Sequence, residues 1–144
     1  MSLGDPAPWL LLVAAAHLGF QLTVDLVVYP ALGEVPADGW ATAHDRHSRR
    51  IVGLVAALYP PLVVVLGWAL VAEPRSVGTW VALAGGLLAV GTTAAVAAPT
   101  HGRLASAPAA DRGDLMRRLD RADRLRSIGA VVCAVGAVWL VATA

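Results

Sequence analysis

Three side chains able to do chemistry interrupt a long apolar stretch, PWLLLVAAAHLGFQLTVDLVVYP, from Pro8 to Pro30. They are His17, Gln21 and Asp25, at spacing i, i+4, i+8. On a helix that spacing stacks them on one face over about 12 Å. A polar stripe facing lipid is costly, so this one should turn inward, toward protein or water. His17 and Asp25 are the candidate catalytic groups, able to accept or pass a proton. Gln21 is a candidate substrate contact. The alternative for all three is an internal hydrogen-bonded group that only locks helix packing.

A second set is built on imidazole. His44 and His47 lie i, i+3 in ATAHDRHSRR and share a helix face. His101 follows Pro99 in APTHGR. If these three meet at a pocket mouth with Asp25 nearby, they suit copper or iron. A bis-histidine haem is disfavoured, because only His17 lies deep in an apolar run. The competing reading is solvated histidines beside arginine, with His101 capping a helix end. Arg126 enters the last apolar run beside Asp123. It either binds an anionic or carbonyl group of a substrate or snorkels with a local ion partner. Tyr59 precedes Pro60-Pro61, whose missing donors should kink a helix and leave room beside Tyr59 for an apolar substrate. No GxSxG, P-loop or GxGxxG motif occurs, and the single Cys133 has no disulfide partner.

The elements that must position these groups follow from composition. The chain has 144 residues, 58% of them hydrophobic and 15% charged, with mean hydropathy +0.68. That is a membrane protein's composition. Four apolar runs, about residues 8–30, 51–72, 77–98 and 125–142, each approach the roughly 20 residues needed to span a bilayer. In lipid they must be helical, because every backbone group needs an internal partner.

The expected fold is all-α: one domain, an antiparallel four-helix membrane bundle with an additional amphipathic helix at the inner membrane surface. That extra helix is DRGDLMRRLDRADRLRS, with Leu115, Leu119, Ala122 and Leu125 on one side. Asp38 is a candidate N-cap for a helix leading into the second span. Gly85, Gly86, Gly91, Thr92 and Thr93 in the third span, and Gly129, Cys133 and Ala137 in the fourth, are small enough to let helices approach closely.

All 11 basic residues are arginine, and ten of them lie in the first and third connections against Arg75 alone in the second. The positive-inside rule then puts those connections in the cytoplasm and both termini outside. Trp9, Trp68, Trp80 and Trp139 fall near the outer ends of their spans, as an aromatic belt would. The opening MSLGDPAP lacks the basic region of a secretory signal. Arginines confined to two short segments argue against nucleic acid as a partner. Membrane lipid and a lipophilic small molecule are the expected partners, and a homo-oligomer stays open.

Three segments, GFQLTVDLVVYPAL, VAAPTHGRLASAP and LMRRLDRADRLRSIGAVV, carry a family resemblance. The chain resembles the small four-helix membrane proteins of the anthrone-oxygenase-like group. Those proteins show a first span ending in Pro-Ala-Leu, an Asn-x-Pro-like end to the third span and a Trp-Asn-x-x-Arg-like entry to the fourth. Here the last two places read Ala98-Pro99-Thr100-His101 and Ala122-Asp123-Arg124-Leu125-Arg126. The match carries over Pro99, His101 and Arg126; His17 and Asp25 lie outside it. It implies an oxygenase whose lipophilic aromatic substrate enters from the membrane. Two readings compete: a small proton- or solute-conducting protein using the His17/Gln21/Asp25 stripe, and a non-catalytic assembly subunit whose arginine-rich helix binds anionic lipid or a partner.

Overall fold

The computed structural model describes residues 4–144, and those residues form helices joined by short turns. Four helices are long and apolar enough to cross a membrane: α1 Pro6–Gly33, α2 Trp40–Ala72, α3 Val77–Leu104 and α4 Ala109–Thr143. The protein is an integral membrane, all-α bundle. Helices α1 and α3 each pack against both α2 and α4, so the four follow one another around a ring. The helices are longer than the apolar runs. At 35 residues α4 extends about 50 Å, well beyond a hydrocarbon core of about 30 Å. The amphipathic segment is therefore not a separate helix. Leu115 and Leu119 are buried where it continues unbroken into the fourth span. Nor does Asp38 cap α2: the N-cap is Gly39, with no side-chain hydrogen bond. Pro60 and Pro61 lie inside a helix that continues from Trp40 to Ala72.

Two helices share an interruption. In α1 the turn Val24–Val28 is π-helical, and in α3 the turn Thr93–Ala97 is. The Tyr29 N–H donates to the Val24 carbonyl and the Ala98 N–H to the Thr93 carbonyl, one residue further back than in an α-helix. In both cases a proline follows one residue later, Pro30 and Pro99. Proline offers no N–H to the carbonyl four residues back, and its ring crowds that carbonyl. A wide turn relieves the crowding at Leu26 and Ala95 and holds an extra residue. Such π-turns recur at functional sites.

The tightest packing is between α3 and α4. A Cβ placed on Gly78 would lie 2.6 Å from the Leu140 nitrogen, and one on Gly129 only 2.7 Å from the Gly85 carbonyl oxygen. Glycine at these positions, with Ala82, Ala89, Cys133 and Ala137 fully buried beside them, lets two backbones touch. Gly91 takes no part in this seam; a Cβ there would meet nothing within 4 Å.

Leucines and valines on the outer face, such as Leu26, Val64 and Val71, are exposed and suit contact with lipid. Trp9, Trp68, Trp80 and Trp139 are exposed as well. Trp40 is the exception: it is buried at the arginine-rich end, where its ring stacks on His44 with centroids 5.6 Å apart.

Candidate functional site

The buried polar groups gather toward the arginine-rich end, around the two π-turns. Gln21 and Asp123, both 0% exposed, meet across the α1–α4 interface, where Gln21 Nε2 donates to Asp123 Oδ1 at 2.7 Å. Arg126 Nη1 lies 3.2 Å from the same oxygen, one helical turn further on. Arg126 is 4% exposed. Two opposite charges taken out of water hold together only with supporting hydrogen bonds, and Gln21 supplies one.

Beyond Arg126 the contacts continue in a row. Arg126 Nη1 donates to the Tyr29 hydroxyl at 3.5 Å. That hydroxyl is 3.0 Å from His101 Nε2, and His101 Nδ1 is 3.5 Å from His44 Nε2. The row draws on all four helices. Tyr29 is the residue that closes the π-turn of α1, and His101 follows the π-turn of α3 by one helical turn. The wide turns thus set the rotation of both side chains toward each other.

The three candidate metal ligands do converge, with His44 and His47 each 5.6 to 5.7 Å from His101 between ring centroids. The His44 and His47 rings are tilted by 32° and 31° to that of His101. Among the described residues no group of three or more His, Cys, Asp or Glu side chains is arranged to hold an ion. Both nitrogens of His101 face hydrogen-bond partners instead.

On the polar stripe of α1, His17 is fully buried with neither ring nitrogen bonded, its ring edge-on to Tyr59 at 5.0 Å. Tyr59 reaches α3, 3.0 Å from Thr93 Oγ1. Because Thr93 donates to the Ala89 carbonyl, the Tyr59 hydroxyl is the donor of that pair. Asp25 stays close to the Gln21–Asp123 pair. It lies in the π-turn that begins at Val24, half-buried, where it accepts from Ser127 Oγ at 2.9 Å. Its carboxyl also lies beside Asp123, so Asp25 and His17 approach the Asp123–Arg126 pair from opposite ends of the stripe.

A cavity of about 330 Å³ lies against this row. Its walls are apolar, among them Val24, Ile51, Val55 and Ala97, and its polar groups include Tyr29, His101 and Arg126. Val52, 63% exposed on the outer surface, also lines it, so the cavity opens sideways between α2 and α3. A groove of about 340 Å³ on the far side of His101 is lined by His44, Asp45 and Ser48. His101 and Ser48 are common to both.

Compared with known proteins, the chain matches no family model, no curated protein and no solved structure. The site thus rests on its own geometry. Of the residues singled out from sequence, Arg126, His44, His47 and His101 come together, Gln21 joins them through Asp123, and Tyr59, edge-on to His17, reaches the Arg126 guanidinium as well. Tyr29 was overlooked. Its signal was present, since it continues the spacing of 17, 21 and 25 by another four residues.

Proposed function

We propose that this protein is a membrane enzyme that removes a proton from a lipophilic, oxygen-bearing aromatic molecule and promotes its oxidation by oxygen. The observation that carries the reading is the apolar cavity, open sideways, whose polar end holds Arg126 at 4% exposure beside Tyr29 and His101. A buried guanidinium facing an apolar space is well placed to stabilise an enolate or phenolate, because a low-dielectric site strengthens that attraction. Tyr29 and His101 supply the acid–base groups. The likeness to the anthrone-oxygenase-like group points to the same class of substrate. Entry from lipid through the gap at Val52 suits a molecule that water does not dissolve. With the arginine-rich end in the cytoplasm, the chemistry would sit near the inner leaflet.

Conduction is less well supported. On α1 the polar groups stop at His17, beyond which the helix presents fully buried Ala14 and Leu10 to the core.

The test is to supply the purified protein, in lipid nanodiscs, with anthrone and oxygen and to follow anthraquinone by mass spectrometry. Anthrone plus one O₂ gives anthraquinone plus water, so the products balance. Arg126→Gln should lower the rate by about 10²-fold or more. A folded protein that neither binds nor oxidises anthrone or related lipophilic phenols would sink the reading. Elemental analysis of the same sample reports on copper and iron, and a stoichiometric ion lost on replacing His44, His47 or His101 would move the chemistry onto the histidines.

A further inference from the structure

The row Arg126–Tyr29–His101–His44 has a direction. Arginine has only donors, so the side of the Tyr29 oxygen that faces Arg126 accepts. The single hydrogen of Tyr29 is then free for His101 Nε2, its 3.0 Å neighbour. Where Tyr29 donates to His101 and does not accept a second time, a neutral His101 bears its one hydrogen on Nδ1, which faces His44 Nε2. His44 in turn carries its hydrogen on Nδ1. In that arrangement every O–H and N–H in the row points the same way, from the apolar cavity toward the groove beside Asp45.

We propose that Tyr29, His101 and His44 form a one-way proton exit from the apolar cavity to the aqueous groove at the arginine-rich end. A proton leaving a molecule in the cavity goes to the Tyr29 oxygen. The Tyr29 hydrogen passes to His101 Nε2, the His101 Nδ1 hydrogen to His44 Nε2, and the His44 Nδ1 hydrogen to water. One proton enters and one leaves, no residue keeps a charge, and the anion left behind faces Arg126. One transfer leaves His101 and His44 with their hydrogens on Nε2, and the row resets when proton exchange with water returns each ring to the Nδ1–H form, since turning a ring held at Cγ does not interchange its two nitrogens. His101 and Ser48 stand between the two spaces, so the row carries the proton from apolar walls to polar ones. Tyr29 also borders a polar groove of about 580 Å³ lined by Asp25, Arg112, Asp120 and Arg124. Only the identity of the proton's source rests on the function proposed above; the polarity of the row does not.

The first measurement therefore needs no substrate. Protein labelled with ¹⁵N-histidine, in lipid bilayers at neutral pH, is read by solid-state NMR, with His101→Gln and His44→Gln used to assign the signals. The expected result is protonated Nδ1 and bare Nε2 at both His101 and His44. That is the reverse of the tautomer free imidazole prefers. Tyr29→Phe should return His101 to the Nε2–H form. Nε2–H at His101 in the parent protein overturns the proposal, as does a metal bound to these rings, since a ligating nitrogen carries no proton.

The second measurement uses an alkylated nitrophenol, whose anion is coloured. After a rapid rise in pH, the deprotonation rate per bound dye should fall by about 10²-fold in Tyr29→Phe and in His101→Gln. Equal rates in parent and variants overturn the exit. A dye that does not bind counts against the cavity reading alone, and the tautomer result still decides the row.

Discussion

Two interfaces of α4 are held by opposite means. Against α3, the half of α4 toward its C-terminus meets backbone with backbone: Gly129 and Gly136 face Gly85, Ala82 and Gly78. Against α1, the half at the arginine-rich end meets side chain with side chain through Gln21, Asp123 and Arg126. In lipid, apolar burial does not drive helices together, so association must come from close contact or from polar bonds. This chain uses one at each end of the same helix. The glycine seam has no chemistry to offer but no spare room either, which makes it a fixed frame. The polar interface has unpartnered atoms, among them Asp123 Oδ2, Gln21 Oε1 and Arg126 Nε. Such incomplete satisfaction is costly unless used, so it marks the working end.

The comparison breaks most visibly at Arg126. Arg126→Leu leaves Asp123 as an uncompensated buried charge, and the loss should be about 3–5 kcal/mol in a reversible unfolding assay in detergent. The double variant Asp123→Leu, Arg126→Leu should recover most of that stability while abolishing anion binding in the cavity. If the double variant is as unstable as the single, the pair is structural and the working end lies elsewhere.

On the seam, Gly129→Val or Gly136→Val must push α3 and α4 apart, since each new side chain would meet backbone. The expected cost is about 1–3 kcal/mol. Here a companion substitution should not restore stability, because backbone cannot be trimmed. Tyr29→Phe sharpens the contrast further down the scale. It removes one hydroxyl, so stability should change by only about 0.5–1.5 kcal/mol while proton transfer collapses. The smallest effect is expected at Gly91→Ala, which faces open space and should gain up to about 0.5–1 kcal/mol from helix propensity. A large loss at Gly91 would mean that α3 makes a contact there with a second molecule.

Much of this molecule was legible in its residues, and the reason is the bilayer. A solvent with no hydrogen bonds to give forces apolar runs into helices, so four spans followed from composition and length alone. Gly129 and Cys133, spaced four apart, announced a close seam, because only small side chains allow one. The histidine pair of α2 shares a face by simple helical arithmetic. What the sequence could not show was where the arithmetic fails. Pro30 and Pro99 are each preceded by a wide turn, and the extra residue in it changes the rotation of everything that follows, Tyr29 and His101 included.

Only the tertiary structure decided which helices face each other. Gln21 meets Asp123 across 102 residues and His101 meets His44 across 57. Those distances in sequence carry no periodic signal. They depend on the order of helices around the ring and on the rotation of α1 and α3, which the π-turns set. The identity of the polar groups was written in the chain. Their assembly into a row beside an apolar cavity was a property of packing, since a one-residue change in either wide turn would turn Tyr29 or His101 by about 100° and separate them.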